Sequence, residues 1–239
     1  GDIGNTETKI CLVKNNKIIK KFLIPSKGKK MKILDKHFRK FNFSKLKKII
    51  FCSVVPSTFK ELKNYFKQRT KIKCFELKEL NLSSILKIEV NYKQVGSDRL
   101  ANSISVCEKN KNYIILDFGT ATTFDVLIGN NYKGGIISPG INLSLNTLSD
   151  KASLIPRIDL KKISKVIGKD TKSAVRSGFF WGYAGLIDNL INLIKKETKK
   201  SFQIIITGGF SELFKNSIKT KTKQNFDITI NGLIKASKL

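Results

Sequence analysis

One short phrase occurs twice in this chain, and it strongly limits the folds that the chain can adopt. Asp2-Ile-Gly-Asn-Thr6 lies near the start, and Asp117-Phe-Gly-Thr-Ala-Thr-Thr123 lies near the middle. Each has an acidic residue, a spacer, a glycine and a hydroxyl or amide residue, followed by residues suited to a β-hairpin. Glycine lets a main chain approach a ligand closely, and successive backbone N–H groups in such a turn bind anions. The repeated phrase therefore predicts two phosphate-binding turns.

The elements that follow the two phrases predict an internal duplication. The first phrase leads into strand-like residues as far as Ile24, and the second follows the apolar residues 113–116 and leads into 123–128. After its hairpin, each half alternates helical and strand patterns, and no flexible linker separates the halves. We expect an α/β protein of two similar domains, residues 1–110 and 111–239. Two turns that faced each other across a cleft would grip a polyphosphate, which indicates phosphoryl transfer.

Local patterns place helices and strands along both halves. A helix is expected over residues 33–48, a buried strand over 48–55, and a further helix beyond Pro56 with Ser57 or Thr58 as its cap. Ser97 is expected to cap a helix that runs to residue 106. In the second half, one helix is expected after Thr171 and another over residues 180–196, where apolar side chains at 184, 187, 191 and 194 form a stripe.

The net charge of +28 invites a nucleic-acid interpretation, because lysine and arginine neutralise phosphates. However, almost all of the positive charge is lysine, and arginine occurs only at positions 39, 69, 99, 157 and 176. Surfaces that read bases favour arginine for its planar fork. The lysines accompany abundant isoleucine, asparagine and phenylalanine, as in a chain from an AT-rich genome. We therefore attribute the charge to codon supply and do not expect a nucleic-acid partner.

The cysteines and the histidine restrict the chemistry further. Cys11, Cys52, Cys74 and Cys107 lie far apart, and three of them sit in apolar runs. That pattern favours buried free thiols in a reducing cytoplasm over disulfides or a zinc site. His37 is the only histidine, which excludes a His-based triad and a multi-His metal site. No apolar run approaches the roughly 18 residues that span a bilayer, so no membrane association is expected.

The segment Gly96-Ser97-Asp98-Arg99 places a carboxylate and a guanidinium side by side at the start of a predicted helix. One interpretation is a helix cap with a surface ion pair. The functional interpretation is that Asp98 accepts a proton from an attacking hydroxyl while Arg99 binds a carboxylate or phosphate in bidentate fashion. Phosphoryl transfer needs mainly positioning, charge stabilisation and one carboxylate that orients the nucleophile. This segment supplies that carboxylate.

Two glycine-rich turns follow strands of the second half. Gly134-Gly135-Ile-Ile-Ser-Pro-Gly140 precedes a predicted helix, and Thr207-Gly208-Gly209 ends a buried strand. Both have the composition of simple turns. Because they share a half with Asp117, they equally suit the lining of a nucleotide pocket.

Taken in order, these motifs resemble one enzyme family. The chain reads DIGNT, Y-x-x-x-G-x-D-R, DFGTATT-x-D, GG-x-I-x-PG, G-x-D-T…SG and TGG. In this order it is similar to the type III pantothenate kinases of the acetate and sugar kinase/Hsp70/actin superfamily. GSDR and GGIISPG separate it from members that share only the phosphate turns. Asp170 stands where the family more usually has Asn. The resemblance implies two actin/ribonuclease H-like domains around an ATP cleft and ATP-dependent phosphorylation of pantothenate, the first step of coenzyme A biosynthesis.

The resemblance also implies roles for individual residues. The first turn would bind the ATP phosphates, through Asp2, Ile3, Gly4, Asn5, Thr6, Glu7, Thr8 and Lys9. Asp2 would lie near Mg²⁺, Thr120 would contact ATP, and Asp98 would be the proton acceptor. Pantothenate would be bound by Gly96, Ser97, Asp98 and Arg99 together with Tyr92. Asp117 would ligate a monovalent cation, K⁺ or NH₄⁺. Thr171 would reach pantothenate across a dimer interface.

A homodimer is expected on two grounds. The apolar stripe over residues 180–196, with Trp181 and Tyr183 beside it, is more than one helix needs if both halves already close around a cleft, and aromatic residues are favoured at interface cores. The alternative is that this helix packs on its own sheet. The second ground is the family resemblance at Thr171.

Two other functions stay open at this point. The first is a phosphatase or regulatory member of the same superfamily, such as a polyphosphate or guanosine-pentaphosphate hydrolase. Such a protein would share the phosphate turns but is not expected to carry the sequence GSDR at residues 96–99. The second is a basic nucleic-acid-binding protein, which would show a salt-dependent shift with DNA.

Overall fold

The computed structural model describes every residue except Lys27 and Lys29, and of Lys30 the backbone alone. The strands of the described residues are β1 (Asp2–Ile3), β2 (Glu7–Lys14), β3 (Lys17–Pro25), β4 (Ile49–Ser53), β5 (Cys74–Glu76), β6 (Lys87–Ile88), β7 (Asn112–Phe118), β8 (Ala121–Ile128), β9 (Asn131–Pro139), β10 (Gln203–Gly208) and β11 (Thr222–Gln224). The helices are α1 (Lys30–Phe38), α2 (Pro56–Lys67), α3 (Ser97–Val106), α4 (Ile141–Lys151), α5 (Thr171–Thr198), α6 (Ser211–Phe214) and α7 (Ile228–Ala236). Short 3-10 turns include Leu77–Glu79 and Tyr92–Gln94.

The first of two compact units contains Gly1–Cys107, Asn130–Tyr132 and Asp227–Leu239. Its sheet has the strand order β3-β2-β1-β4-β5. The first three strands pair antiparallel, and β4 pairs parallel with both β1 and β5. Asn15 and Asn16, with φ of 52° and 59°, form the tight turn between β2 and β3 that their sequence predicts.

The second unit contains Glu108–Gly129 and Lys133–Phe226. Its strands lie in the order β11-β10-β7-β8-β9. Strand β7 pairs antiparallel with β8 and parallel with β10, which pairs parallel with β11. Read from the other edge, the order β9-β8-β7-β10-β11 repeats the order of the first sheet. The predicted α/β fold of two similar halves is thereby confirmed.

Each unit has its own apolar core. In the first, the rings of Phe22, Phe38, Phe51 and Phe66 belong to one cluster with Ile3. In the second, the buried core includes a stack of three phenylalanine rings, Phe118, Phe180 and Phe214, with ring centroids 5.4–5.5 Å apart. Aromatic pairs at such distances add to the stabilisation from buried area. The sheets are thus held rigidly enough to position the turns at their strand ends.

Several predicted boundaries were wrong. The helix expected over residues 33–48 is α1, which ends at Phe38 and is followed by a 3-10 turn at Phe43–Lys45. Helix α2 begins at Pro56, so neither Ser57 nor Thr58 is its cap; the Thr58 hydroxyl instead donates to the Ser26 carbonyl at 3.0 Å. Proline suits this first position because its missing N–H has no helical partner there anyway.

The two helices expected after Thr171 are one continuous helix, α5, over Thr171–Thr198. The stripe at positions 184, 187, 191 and 194 is buried in the core of the second unit. The helix therefore packs on its own sheet, and the stripe is not a surface that a second copy can cover. This removes the sequence argument for a dimer that rested on the stripe.

The C-terminal helix belongs to the first unit. The boundary expected near residue 110 would instead assign it to the second half of the chain. Helix α7 packs along α3, and the Thr229 hydroxyl donates to Oδ1 of the buried Asn102 at 2.7 Å. The main chains of the two helices approach closely, because a Cβ atom at Gly232 would overlap the Ala101 carbonyl oxygen.

The thiol prediction is confirmed: Cys11, Cys52, Cys74 and Cys107 are all free, and the last three are buried. Among the helices of the described residues, none combines the length and hydropathy that crossing a bilayer requires.

Candidate active site

The first of the two predicted phosphate turns joins β1 to β2. The Gly4 N–H donates to the Glu7 carbonyl at 3.0 Å and closes the turn, which leaves Asn5 and Thr6 exposed. The side chain of Ile3 lies in the core, and the buried Thr8 hydroxyl shares a 2.9 Å hydrogen bond with Ser26. Within this segment, Ile3 and Thr8 can therefore offer only main-chain groups to a ligand.

Asp2 lies at the carboxyl-end edge of the first sheet, where β1 pairs with β4. Its register partner is Cys52, whose thiol donates to the Asp2 carboxylate at 3.4 Å. Burial raises the pKa of Asp2, and the negative charge of Asp98 raises it further. Two carboxylates that repel one another in this way favour the approach of a cation.

Ser97 connects the start of α3 to the end of β4. Its hydroxyl accepts the Ser53 N–H at 2.7 Å and donates to the Ser53 carbonyl at 3.0 Å. The N-cap of α3 is Gly96, so the predicted capping role of Ser97 was wrong. Because Ile3 pairs with Ser53 in the sheet, this contact brings the start of α3 beside the strand that carries Asp2.

Asp98 and Arg99 occupy the first turn of α3 and are both partly buried. The Arg99 N–H donates to Oδ1 of Asp98 at 2.9 Å. Burial raises the pKa of Asp98, and this outweighs the lowering by the Arg99 N–H and guanidinium. A carboxylate that binds a proton more tightly than usual is a better general base.

Tyr92 lies in the 3-10 turn just before α3. Its hydroxyl donates to the Lys78 carbonyl at 3.1 Å, and its pKa is raised, mainly by burial and then by the charge of Glu76. The ring thereby anchors the segment that follows β5 to the segment that enters α3. The structure thus brings Asp2, Asp98 and Arg99 together in the first unit, and Tyr92 lies in the 3-10 turn that precedes their helix.

The second predicted phosphate turn joins β7 to β8. The Gly119 N–H donates to the Ala121 carbonyl at 3.1 Å, and Thr120 is exposed at the tip. Asp117 lies near the end of β7, directly across from Thr123 on β8. The turn repeats the arrangement of the first one: a carboxylate on the strand, a glycine N–H that closes the turn, and exposed polar residues beyond it.

The glycine-rich loops pack directly behind the second turn. A Cβ atom at Gly140 would overlap the Thr120 carbonyl oxygen, so the main chains touch there. Gly208 has φ of 84°, and the next N–H, of Gly209, donates to the Phe118 carbonyl at 3.1 Å. Only glycine allows both approaches without strain. The loops therefore fix the shape of the turn that carries Thr120.

Thr171 is the exposed first residue of α5 in the second unit. The helix begins with a capping box, in which the Asp170 carboxylate accepts the Ser173 N–H at 2.9 Å and the Ser173 hydroxyl accepts the Asp170 N–H at 3.1 Å. The Ser173 N–H, and the Ser173 hydroxyl that also donates to the carboxylate at 2.8 Å, lower the pKa of Asp170. Aspartate and asparagine cap helices about equally well, which accounts for Asp170 where the family more usually has Asn.

Sequence reasoning missed three contacts of the site in the first unit. The Cys52 thiol holds Asp2, the Ser53 main chain holds Ser97, and Lys78 lies against Tyr92. Each of these contacts joins segments that are distant in sequence, and no local sequence pattern predicts such a contact. Among the residues that the structure describes, no group of three or more His, Cys, Asp or Glu side chains could hold a metal ion by itself.

The fold is shared with solved structures of low sequence identity. A protein from Campylobacter jejuni described as a Baf family transcriptional activator superposes with a TM-score of 0.65 at 21% identity, covering 99% of this chain and 96% of the other. A protein from Sinorhizobium meliloti described as a 2-dehydro-3-deoxygalactonokinase has a TM-score of 0.62 at 11% identity, covering 99% and 97%. At these identities the likeness concerns the fold alone, and it is the fold of the actin-like kinases.

Sequence comparison is more specific. The profile of the type III pantothenate kinase family matches residues 1–193. A type III pantothenate kinase from Pelagibacter ubique (strain HTCC1062) is 63% identical over 242 residues, which cover 100% of this chain and 98% of the relative. One from Hyphomonas neptunium (strain ATCC 15444) is 33% identical over 249 residues, covering 99% and 97%. On this evidence, the chain belongs to the type III pantothenate kinases.

Proposed function

We propose that this protein transfers the terminal phosphoryl group of ATP to pantothenate, giving 4'-phosphopantothenate in the first step of coenzyme A biosynthesis, with Asp98 as the general base. The observation that carries the assignment of the base is the position of Asp98. It lies partly buried at the start of α3, close enough to Asp2 for its negative charge to raise the pKa of Asp2. Free thiols at all four cysteines favour a reducing cytoplasm as its location.

Asp98 has the properties that proton transfer from an alcohol requires. Its raised pKa makes it a stronger base than an exposed aspartate, and the Arg99 N–H fixes one carboxylate oxygen at 2.9 Å. The other oxygen is then the atom that accepts the hydroxyl proton. The segment Gly96–Arg99 and Tyr92 bind the acceptor, and the Arg99 guanidinium suits its carboxylate.

The first turn, Asp2 to Lys9, binds ATP phosphates through the main chain and through the exposed Asn5 and Thr6. Mg²⁺ fits beside Asp2, because the repulsion between two partly buried carboxylates is relieved by a divalent cation. Magnesium usually takes one or two protein carboxylates plus substrate phosphates, and it neutralises the charge that develops on the transferred group. In the second unit, Thr120 contacts ATP from its exposed turn.

A monovalent cation, K⁺ or NH₄⁺, binds at Asp117. The carboxylate lies at the end of β7 beside the turn that carries Thr120. A cation held there would offset phosphate charge near that turn. The glycine loops that brace the turn keep its carbonyl groups in fixed positions, which a cation site needs.

The working form is a homodimer in which Thr171 reaches the pantothenate of the partner subunit. The support on this chain is the surface next to Thr171: Val166 is 64% exposed and Ile167 is 75% exposed. Two neighbouring apolar side chains exposed in this way suit a surface that a second subunit covers. Ser177 donates to the Val166 carbonyl, which holds this segment on α5.

An ADP-release assay with ATP, Mg²⁺, potassium and pantothenate tests the proposed function. We expect pantothenate-dependent turnover, and Asp98→Asn should reduce kcat by about 10²–10⁴-fold. Asp35→Asn is the control, since Asp35 pairs with Arg69 on the surface of the same unit at 2.7 Å. If Asp98→Asn keeps more than roughly a tenth of the wild-type rate, Asp98 is not the base.

Mixing two inactive variants tests the shared pocket. If Thr171 acts across the interface, heterodimers of Asp98→Asn and Thr171→Arg regain one working site and part of the activity. Mixtures that stay inactive, or a fully active monomer in sedimentation at assay concentration, would contradict the dimer.

A further inference from the structure

Lys78 is a charged side chain of the first unit that none of the roles above uses. It lies in the 3-10 turn Leu77–Glu79, and Oε2 of Glu76 accepts its N–H at 2.6 Å. The Tyr92 hydroxyl donates to its carbonyl at 3.1 Å. Both main-chain groups of Lys78 are therefore fixed by side chains, so its Cα position is defined.

Its ammonium is held as well. Nζ of Lys78 lies 5.4 Å from the centroid of the Tyr92 ring, within the range of a cation–π interaction, and donates a long hydrogen bond of 3.4 Å to the Lys93 carbonyl. A lysine side chain normally samples many rotamers. Here one tyrosine contacts the residue at two points, its hydroxyl on the main chain and its ring on the ammonium.

The same ammonium acts on Asp98. The pKa of Asp98 is raised by burial, and the positive charges of Arg99 and, more weakly, of Lys78 lower it again. Two cations from separate elements, the 3-10 turn and α3, thus both act on Asp98.

The acceptor carries an anionic group that a cation fixed on Tyr92 can bind. Pantothenate is elongated, with the hydroxyl that is phosphorylated at one end and a carboxylate at the other. A base that contacts the hydroxyl end leaves the carboxylate some distance away, where a second fixed cation is useful. We propose that Lys78 is a specificity-determining residue whose ammonium, presented by Tyr92, binds the carboxylate of pantothenate. This inference rests on the proposed function and assigns Tyr92 a role in presenting Lys78.

The test compares two acceptors in the ADP-release assay of the full chain. One is pantothenate, and the other is its neutral alcohol analogue, in which a CH₂OH group replaces the carboxylate. We expect Lys78→Met to raise KM for pantothenate roughly tenfold, the size of one charge-assisted hydrogen bond, with kcat within about twofold. KM for the alcohol should stay within about twofold of the wild-type value.

Lys73→Met is the matched control, because Lys73 also lies over a ring, that of Phe75 at 4.7 Å. It should change neither KM. Lys78→Arg keeps the charge and should retain most of the preference for pantothenate. Thermal unfolding shows whether Lys78→Met folds, and if it does not, Lys78→Arg and Lys78→Gln replace it in the test. In that case, a preference that persists in a folded Lys78→Gln variant, or that is lost in a folded Lys78→Arg variant, decides against the proposal.

The other outcomes are also decisive. An equal rise in KM for both acceptors would mean that Lys78 supports the site without reading the carboxylate. A fall in kcat at constant KM would mean that it acts through Asp98. Either result overturns the proposal while leaving the kinase assignment intact. Failure of the wild-type protein to phosphorylate pantothenate at all would instead contradict the proposed function.

Discussion

Replacement of Ser97 by alanine removes the link between α3 and β4. The resulting loss of folding stability follows from the geometry of the sheet. The N–H groups of Cys52 and Val54 donate to the carbonyls of Gly1 and Ile3, at 3.0 and 3.1 Å. Because main-chain groups alternate along a strand, the N–H and carbonyl of Ser53 point to the opposite side, towards β5. The pairing of β5 with β4 ends at Phe51. The Ser97 hydroxyl therefore makes the two hydrogen bonds to Ser53 that a further residue of β5 would otherwise make.

The expected loss of stability is about 2 kcal/mol. Ser97 is 2% exposed, so in Ser97→Ala water reaches the Ser53 N–H poorly, and an unsatisfied buried donor costs about 1–3 kcal/mol. The Ser53 carbonyl also loses a donor, although a carbonyl tolerates this better than an N–H does. For a chain of this length, about 2 kcal/mol lowers the Tm by about 4–8 °C. Because α3 carries Asp98, we also expect kcat to fall by roughly 10–100-fold.

Ser103→Ala is the control for both measurements. Ser103 is also fully buried on α3, but its hydroxyl donates at 2.8 Å to the Arg99 carbonyl one turn earlier, which in a helix accepts a main-chain N–H as well. Its loss should cost less than about 1 kcal/mol and leave kcat nearly unchanged. Urea unfolding measures the stability of both variants, and initial rates on the same preparations measure their kcat. Equal losses of stability in the two variants, or wild-type kcat in a folded Ser97→Ala variant, would refute this reasoning.

Three further predictions concern the carboxylates and the second turn. Because burial raises the pKa of Asp98 above its ordinary value of 3.8, its contribution to stability is full below pH 3.8 and is lost as the pH rises through the folded-state pKa. Asp98→Asn should therefore melt at a higher temperature than wild type at pH 7, by a margin that shrinks as the pH falls towards 3.8; a lower melting temperature at pH 7 would contradict this. Gly140→Ala should abolish activity, since its Cβ displaces Thr120, whereas Gly178→Ala meets open space and should not, as initial rates will show. The rate should fall when sodium replaces potassium, and Asp117→Ala should erase that difference; equal wild-type rates in the two salts would exclude the cation site.

Much of the fold was predictable because its signals are local. The glycine turns after strands, the Asn15-Asn16 turn and the apolar runs at β4, β7 and β10 each specify an element within a few residues. Two copies of one pattern then imply two similar sheets, and the strand orders agree with that. The resemblance of the ordered motifs to type III pantothenate kinases led to the family that the comparisons confirm.

Helix ends and side-chain roles were predicted less well. Ser97 resembles a cap in sequence, yet Gly96 caps α3, because the Ser97 hydroxyl is taken by Ser53, 44 residues earlier in the chain. The stripe on α5 resembles an interface, yet the sheet of the same unit covers it. In each case a tertiary partner distant in sequence replaces the local role. Burial makes the hydrogen bond or apolar contact with that partner more stabilising than the local one.

The sequence by itself determined the family, the two glycine turns and the residue types of the predicted site, because these depend on backbone conformations and chemical groups that short motifs encode. Only the tertiary structure decided how the groups are held: Cys52 against Asp2, Ser53 against Ser97, and Tyr92 against Lys78. These pairs join strands, turns and helices that are separated along the chain, and their energies depend on distance and burial. Neither quantity exists until the sheet has formed and brought the segments together.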